Sequence, residues 1–237
     1  MSEAAEGGLP LRPFADSRAL ASTAAELIAA GLRGAIARSG QASLAVAGGT
    51  TPADTYRRLS SLALDWPNVT IVPTDERWVE PSSPDSNQRF LHETLLQGPA
   101  AAARFIPLWS DAATPEAAAA RAASQVAAVD PFDVVVLGMG EDGHFASLFP
   151  GSPVLAEGLD LSGASLCIGV PAGDPAPPQP RISLTFRAFQ HVERILLLIT
   201  GDTKRRVLED VWLGDRDLPV GSLRRLDRGA VQILWSP

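Results

Sequence analysis

One histidine of this chain stands in a setting suited to proton transfer. His144 follows the glycine-rich segment at residues 138–143, which comes directly after the apolar run at residues 132–137. An imidazole with an unperturbed pKa near ~6.5 exchanges protons at neutral pH, and glycines give the backbone around it freedom. Asp142 could orient the ring or raise its basicity. A structural or surface role is the ordinary alternative for a lone histidine, and the glycine-rich setting weakens that alternative.

The same segment matches the pattern G-x-G-x-x-G, which is typical of dinucleotide-binding sites. That fingerprint belongs at the first turn from strand to helix, and it opens a long helix. Here the preceding strand is not the first of the chain, and the Pro150-Gly151 pair limits any helix after Gly143 to a few residues. We therefore interpret residues 138–143 as the support of His144 rather than as a dinucleotide site.

A second glycine-rich segment has the composition of an anion site. It joins a predicted strand at residues 43–47 to a helix that begins at Pro52, and proline suits the first turn of a helix. Glycine N–H groups, threonine hydroxyls and the positive end of the helix would all favour an anion there. An ordinary turn is the alternative, and the missing Gly-Lys-Ser/Thr ending means that it is not a Walker loop. The segment consists of Gly48, Gly49, Thr50 and Thr51.

Three cationic side chains follow other predicted strands or loops. Arg77 ends the sequence TDER at residues 74–77, Arg181 follows the proline-rich loop at residues 171–180, and Lys204 lies at a helix start. A protein of net charge −7 must concentrate cations locally to hold an anionic substrate. Arginine binds phosphate oxygens bidentately, and lysine adds a point charge. A surface ion pair is the alternative for each residue alone, but together they predict a phosphate clamp.

The composition argues against a metal centre and against a serine hydrolase. Cys167 is the single cysteine, so a disulfide within the chain and a cysteine-rich metal site are excluded. No H-x-x-x-H spacing is present, and we interpret His92 and His191 as structural residues. A G-x-S-x-G elbow is also absent. We therefore expect neither a metal nor a cofactor.

The elements that carry these segments alternate between strand and helix. The predicted strands are apolar throughout, which favours a mostly parallel sheet with helices on both faces. Ligands of such sheets bind beyond the carboxyl ends of the strands, where all the segments above lie. The predicted strands span residues 43–47, 69–72, 105–108, 132–137, 166–170, 194–200 and 230–235. The predicted helices span about residues 17–38, 52–62, 86–96, 114–129 and 202–212.

Length and charge limit the class of protein. A chain of 237 residues with 46% hydrophobic content favours one α/β domain over residues 14–237, after a small, acidic and flexible segment at residues 1–13. No signal peptide and no run of eighteen apolar residues is present, so we expect a cytoplasmic protein without a membrane partner. An isoelectric point near 5.0 disfavours nucleic acid as a partner. We expect a monomer or a weak homo-oligomer.

Taken together, the motifs resemble those of the 6-phosphogluconolactonase family. The resemblance covers nearly the whole chain after about residue 12, and Thr50 and Ser183 replace a usual serine and threonine while keeping the hydroxyl. It implies the parallel α/β sandwich, similar to a Rossmann fold, that this family shares with glucosamine-6-phosphate deaminase and ribose-5-phosphate isomerase. The matching segments are AVAGGTTPADTY at 45–56, TDERWV at 74–79, SNQR at 86–89, VLGMGEDGHFASLFPGS at 136–152 and RISLT at 181–185.

The resemblance implies hydrolysis of 6-phospho-D-glucono-1,5-lactone to 6-phospho-D-gluconate, a step of the oxidative pentose phosphate pathway. It implies that His144 activates water as a general base, that Asp142 positions the histidine or substrate hydroxyls, and that no metal or covalent intermediate is needed. Backbone N–H groups or a cation such as Arg77 would stabilise the oxyanion. The expected substrate and phosphate ligands are Gly48, Gly49, Thr50, Thr51, Arg77, Arg181 and Lys204.

Two alternatives remain open. The first is an isomerase or deaminase acting on a hexosamine phosphate. Deaminases share the G-x-G-x-D-G-H pattern but continue with A-F-N-E-P, whereas residues 146–150 here are ASLFP, which favours the lactonase. The second is a sugar-phosphate sensor, which would need a DNA-binding module, and the residues before 16 are too few for a helix-turn-helix.

Overall fold

The computed structural model describes residues 9–173, 179–226 and 230–237, which form two sheets and the helices that cover them. The strands are β1 (Leu11–Pro13), β2 (Ala42–Val46), β3 (Val69–Pro73), β4 (Asp75–Arg77), β5 (Arg104–Phe105), β6 (Val134–Gly138), β7 (Cys167–Val170), β8 (Arg181–Leu184), β9 (Arg194–Thr200) and β10 (Val231–Ser236). The α-helices are α1 (Ser17–Ser39), α2 (Thr50–Ser60), α3 (Asn87–Thr94), α4 (Pro115–Val126), α5 (Leu155–Gly158) and α6 (Asp202–Leu213).

The main sheet has seven parallel strands in the order β1-β10-β9-β6-β2-β3-β5. Successive residues of its central strands face opposite sides. Val134 and Val136 join the apolar cluster under α1 and α2, while Val135 and Leu137 join the cluster that contains α4 and α6. Both faces are therefore covered, which is why these strands are apolar throughout. The prediction of a mostly parallel sheet with helices on both faces is confirmed.

Helix α1 lies on one face of this sheet. It begins at the N-cap Asp16, whose carboxylate accepts from a first-turn N–H, and ends at Gly40 with φ +80°. By length and composition α1 could cross a membrane, since an apolar window of it has a mean hydropathy of 1.3. Its apolar side instead packs into the core of the protein. The buried residues are Leu20, Ala21, Ala24, Ala25, Ile28, Ala29, Leu32 and Ala35.

The amino-terminal segment departs from the prediction. Leu11–Pro13, expected to be flexible, form β1, which pairs in parallel with β10. The N–H of Phe14 continues the pairing by donating to the carbonyl of Trp235 at 2.8 Å. Three residues are too few to show a periodic pattern. This strand is recognisable only from its pairing with β10 at the edge of the folded sheet. Residues 1–8 lie outside the described part of the chain.

A second sheet was not predicted. It is antiparallel, with the order β4-β8-β7, and takes up the segment at 166–170 that the sequence assigned to the parallel sheet. β8 begins at Arg181, and β4 consists of three charged residues. These strands carry charged side chains that have buried partners, Arg181 for Asp75 and the start of α3 for Glu76. Polar pairing thus replaced the apolar pattern on which the prediction depended.

Two glycines of α1 provide a matched test of its packing. A Cβ atom on Gly31 would lie 2.6 Å from Cγ2 of Val134 in the central sheet, whereas one on Gly34 would lie 3.5 Å from the flexible end of Arg38. We expect Gly31→Ala to lower the free energy of unfolding by about 1–3 kcal/mol through overpacking. Gly34→Ala should raise it by up to about 1 kcal/mol, since alanine favours a helix. Urea unfolding of both variants measures the difference, and equal effects would contradict the packing argument.

Candidate active site

A cavity of about 260 Å³ opens where the main sheet ends. The segments after β2, β6 and β9 line it from one side, and β4 and β8 of the second sheet line it from the other. This is the position that ligands occupy in parallel α/β sheets, since the loops after the carboxyl ends of the strands converge there. The main sheet supplies loops, and the antiparallel sheet supplies charged side chains.

The histidine and aspartate predicted to act together are in contact. Nδ1 of His144 lies 2.6 Å from Oδ1 of Asp142, which also accepts from the His144 backbone N–H at 3.2 Å. Burial raises the pKa of Asp142, but its hydrogen bonds with His144 and the charge of that ring outweigh burial and leave the pKa below its ordinary value. The carboxylate is therefore an acceptor, so Nδ1 carries the proton and Nε2 is free to accept one.

The glycines of the loop make this contact possible. A Cβ atom on Gly140 would lie 2.3 Å from the ring of His144 and 2.4 Å from Oδ1 of Asp142. The N–H of Gly140 donates to the carbonyl of His144 at 2.9 Å, and Gly143 takes φ +77°. The ring of Phe149 packs 4.3 Å from the imidazole, centroid to centroid. The segment is thus a support for the imidazole, as its composition predicted.

A buried carboxylate, Asp75, connects the second sheet to the loop of the histidine. Oδ2 of Asp75 accepts from the hydroxyl of Ser147 at 2.5 Å and from the guanidinium of Arg181 at 3.4 Å. Burial lowers the pKa of Arg181, and the charge of Asp75 opposes that effect. The guanidinium lies 5.4 Å from the ring centroid of Phe149, which packs on His144. Arg181 is 5% exposed, so its charge is held mainly inside the protein.

Glu76 fixes the start of α3 beside the cavity. Its buried carboxylate accepts from the backbone N–H of Asn87 at 2.7 Å, from that of Gln88 at 2.6 Å and from the hydroxyl of Ser86 at 3.1 Å. Burial raises the pKa of Glu76 above its ordinary value, although these backbone donors act in the opposite direction. The carboxylate holds Asn87 close to Gly48. A Cβ atom on Gly48 would lie 2.0 Å from the Asn87 amide oxygen.

Asp75, Glu76 and Asn87 are site residues that the sequence motifs did not predict. TDER and SNQR were recognised as motifs, and their two carboxylates, serine and asparagine are the partners seen here. Acidic residues directly after a buried strand, followed by a Ser-Asn pair, were therefore the available signal. The hydrogen bond between Glu76 and Asn87, which are 11 residues apart, forms only in the folded structure.

The opposite end of the cavity is suited to an anion. Among the described helices of eight residues or more, only α2 and α6 begin without a side-chain hydrogen bond to a backbone N–H. Their starts are adjacent, because the hydroxyls of Thr51 and Thr200 lie 3.4 Å apart. Lys204 extends into the cavity from the first turn of α6. Free helix N–H groups and a cation together form an anion-binding environment.

The cavity brings most of the predicted site residues together, and its cations come from two parts of the fold. Arg77 and Arg181 are paired residues on neighbouring strands, and Lys204 lies at the helix starts. Asp142 does not line the cavity and instead contacts His144. The cations of the phosphate clamp expected from the sequence thus come from the second sheet and from the start of α6, and their ligands remain predictions. The predicted residues that line the cavity are Gly48, Gly49, Thr50, Thr51, Arg77, His144, Arg181 and Lys204.

Within residues 9–173, 179–226 and 230–237, no three His, Cys, Asp or Glu side chains are grouped to hold a metal ion. Burial raises the pKa of the Cys167 thiol to about 12, so this cysteine is not a nucleophile at neutral pH. His92 packs against Phe105, 5.4 Å between ring centroids, away from the cavity. His144 lines the cavity and contacts Asp142, and a role for this dyad in proton transfer remains a prediction.

Comparison with known proteins identifies the family. Residues 15–235 match the family described as glucosamine-6-phosphate isomerases/6-phosphogluconolactonase, and the chain belongs to that family. A 6-phosphogluconolactonase of Caulobacter vibrioides is 42% identical over 230 residues, which cover 96% of this chain and 97% of that protein. One of Rhizobium meliloti is 42% identical over 227 residues, covering 94% and 97%.

Solved structures agree with this assignment. A crystal structure of a 6-phosphogluconolactonase from Shewanella baltica superimposes with a TM-score of 0.90 at 36% identity, covering 96% of this chain and 97% of that one. A monomeric glucosamine-6-phosphate deaminase superimposes with a TM-score of 0.78 at 21% identity, with coverage of 96% and 97%. The second likeness shows the shared fold alone, which the sequence had implied.

Asp142→Asn tests the coupling within the dyad through stability. Because the folded-state pKa of Asp142 lies below an unfolded value near ~3.9, its ionised form stabilises the fold above that pH. This contribution is lost as the pH falls through the unfolded value towards the folded one. We therefore expect the wild type to be more stable than Asp142→Asn at about pH 6, with a difference that shrinks below about pH 4. Urea unfolding across this range measures it.

Asp111→Asn is the control, because Asp111 forms an exposed ion pair with Arg121. Exposed pairs contribute about 0–1 kcal/mol, so this variant should follow the wild type at each pH. If the stability difference between the wild type and Asp142→Asn grew as the pH fell, the assigned charge of the Asp142 carboxylate would be wrong.

Proposed function

We propose that this protein hydrolyses 6-phospho-D-glucono-1,5-lactone to 6-phospho-D-gluconate in the oxidative pentose phosphate pathway. The observation that carries the proposal is one cavity with an acid–base dyad, His144 and Asp142, and an anion-binding end at the starts of α2 and α6. A sugar-phosphate lactone has two matching ends, a reactive C1 carbonyl and a phosphate. The names of relatives at about 40% identity support the same reaction.

In the proposed mechanism, Nε2 of His144 removes a proton from a water molecule as that water attacks C1 of the lactone. The carbonyl π electrons move to oxygen, and N–H donors or Arg77 stabilise the resulting oxyanion. Collapse of this intermediate re-forms the carbonyl and breaks the bond between C1 and the ring oxygen. The imidazolium then returns its proton to the ring oxygen, which becomes a hydroxyl. The product carboxylic acid ionises in water.

Asp142 has two roles in this sequence. Its carboxylate holds the Nδ1–H of His144 and so keeps Nε2 free to accept the proton from water. Its negative charge also stabilises the imidazolium that forms during attack. Phe149 covers one side of the ring and limits the orientations open to it. The histidine is thus oriented before the substrate binds, which lowers the entropic cost of the reaction.

The phosphate end is proposed to consist of Gly48, Gly49, Thr50, Thr51 and Lys204. The first four lie at the uncapped start of α2, and Lys204 supplies a full positive charge. Arg181 was also predicted as a phosphate ligand, and its position beside Arg77 suggests a contact nearer the dyad.

We infer that a single subunit is sufficient, since Lys204, His144 and the glycine-rich segment line one cavity of one chain. The net charge of −7 supports the further proposal that nucleic acid and anionic membranes take no part. Relatives that are metabolic enzymes support a cytoplasmic location.

The proposal is tested by a direct assay on freshly prepared lactone. Proton release is followed with the uncatalysed background subtracted, and glucosamine 6-phosphate is assayed in parallel for ammonia and ketose formation. We expect rapid hydrolysis of the lactone and no turnover of the amino sugar. Turnover of the amino sugar without lactone hydrolysis would replace the proposal with a deaminase, and activity on neither compound would refute both.

His144→Ala should lower kcat by about 10²–10⁴ while the protein stays folded, because a general base contributes roughly this factor. His92→Ala is the matched control, since His92 lies outside the cavity and should leave kcat near its wild-type value. Stopped-flow proton release measures both variants. Near wild-type turnover of a folded His144→Ala protein would exclude the proposed base.

Lys204→Met should lower kcat/KM for the phosphorylated lactone far more than for unphosphorylated gluconolactone. A charge-assisted hydrogen bond contributes roughly 1.5–3 kcal/mol, so kcat/KM for the phosphorylated lactone should fall about 10- to 100-fold. Most of the loss should appear in KM, because the phosphate is remote from C1. Arg206→Met on the same helix is the control, since Arg206 is exposed and does not line the cavity.

For Arg181→Ala we compare kcat/KM for the phosphorylated and the unphosphorylated lactone in the same way, and we also measure the stability of the variant. This variant leaves Asp75 buried without its cation, which is destabilising whatever the substrate contact. If the ratio of the two lactones keeps its wild-type value in a folded Arg181→Ala protein, Arg181 does not bind phosphate.

A further inference from the structure

The turn that begins α6 is held by the last strand of the protein. The N–H of Gly201 donates to the carbonyl of Ser236 at 2.9 Å, and the indole Nε1–H of Trp235 donates to the carbonyl of Gly201 at 3.0 Å. Trp235 is itself fixed, because its strand pairs with β1 at Pro13 and with β9 at Ile199. Both polar groups of Gly201 are therefore bonded to two successive residues of β10.

The indole of Trp235 binds α6 at its N-cap, where the helix has no side-chain cap. Gly201 is the N-cap of α6, with φ +88° and no side chain to cap the helix. Its carbonyl accepts the first helical hydrogen bond from the N–H of Arg205 at 3.4 Å, which is longer than the bond from Trp235. The shorter bond from the indole is thus the better-formed of the two.

Fixing this carbonyl fixes the direction of the helix start. A peptide group is planar and trans, so a bonded carbonyl oxygen of Gly201 also determines where the N–H of Asp202 points. Lys204 follows in the same turn and lines the cavity. Thr200, on the other side of Gly201, contacts Thr51 at the start of α2. An indole outside the cavity is thus bonded to the residue that lies between Thr200 and the turn of Lys204.

We infer that Trp235 is a positioning residue for the phosphate end of the site, acting through the Gly201 carbonyl to place the first turn of α6 and Lys204. Trp235 does not line the cavity, so it acts without touching the substrate. The inference rests on the proposed function, because it assumes that the phosphate of the lactone binds at this end.

Trp235→Phe removes the indole N–H and keeps an aromatic ring in place. We expect KM for the phosphorylated lactone to rise about three- to tenfold, the factor for one lost neutral hydrogen bond, with a much smaller change in kcat. The kcat/KM for unphosphorylated gluconolactone should change far less. The dissociation constant of inorganic phosphate, measured by calorimetry, should rise by a similar factor.

Trp66→Phe is the matched control. The indole of Trp66 is also buried and donates to a backbone carbonyl, that of Leu62 at 3.2 Å, but lies outside the cavity. Its loss should affect stability without changing the ratio of kcat/KM values for the two lactones. Arg205→Met separates the hydrogen bond from the packing, because the Arg205 guanidinium stacks 4.7 Å from the Trp235 ring. This variant should also keep the ratio.

If Trp235→Phe does not fold, a benzothiophene analogue of tryptophan replaces it, since sulfur in place of the N–H keeps the shape of the ring. Wild-type hydrolysis of the phosphorylated lactone, with a changed ratio in the Trp235 variant alone, supports the inference. An unchanged ratio in that variant overturns it while leaving the proposed function intact. Failure of the wild type to hydrolyse the phosphorylated lactone would instead overturn the proposed function.

Discussion

The buried carboxylate of Asp75 is the interaction on which the geometry of this site depends. It accepts from Ser147 in the loop of the histidine and from Arg181 of β8, and the backbone carbonyl of Asp75 accepts from the Asn87 amide of α3. Three segments far apart in sequence therefore converge on one residue of β4. Removing one partner of such a buried ion pair is costly, because the remaining charge has no water to solvate it. The antiparallel sheet and the histidine loop are consequently fixed relative to each other.

Two kinds of helix start serve different purposes in this protein. α1, α3 and α4 are capped by Asp16, Ser86 and Thr114, each of which accepts from one backbone N–H of its helix and so stabilises the fold. α2 and α6 start at glycines and keep such groups free beside the cavity. Leaving a cap out costs stability, and a bound anion can restore it. Under the proposed function, this division would let a protein of net charge −7 bind the substrate phosphate without a large basic surface.

Much of the fold was readable because its central strands are buried on both faces. The runs at β2, β3, β6, β9 and β10 are apolar without alternation, which predicts parallel strands under helices. The second sheet escaped prediction for the opposite reason. Its strands β4 and β8 carry buried charged residues, of which Asp75 binds Arg181 across the sheet, and no local pattern records a partner about a hundred residues away.

The sequence by itself determined the family, the parallel α/β layers and the dyad, because glycines at 138–143 and the adjacent Asp142 and His144 act over a few residues of chain. Tertiary structure decided how the cations are distributed. Arg181 is placed with Arg77 through strand pairing. The start of α6, which carries Lys204, lies beside α2 because β9 and β2 are separated by β6 alone and Thr200 contacts Thr51. Side chains that are distant in sequence acquire their partners only when the strands pair, and charge alone does not specify which partner each will find.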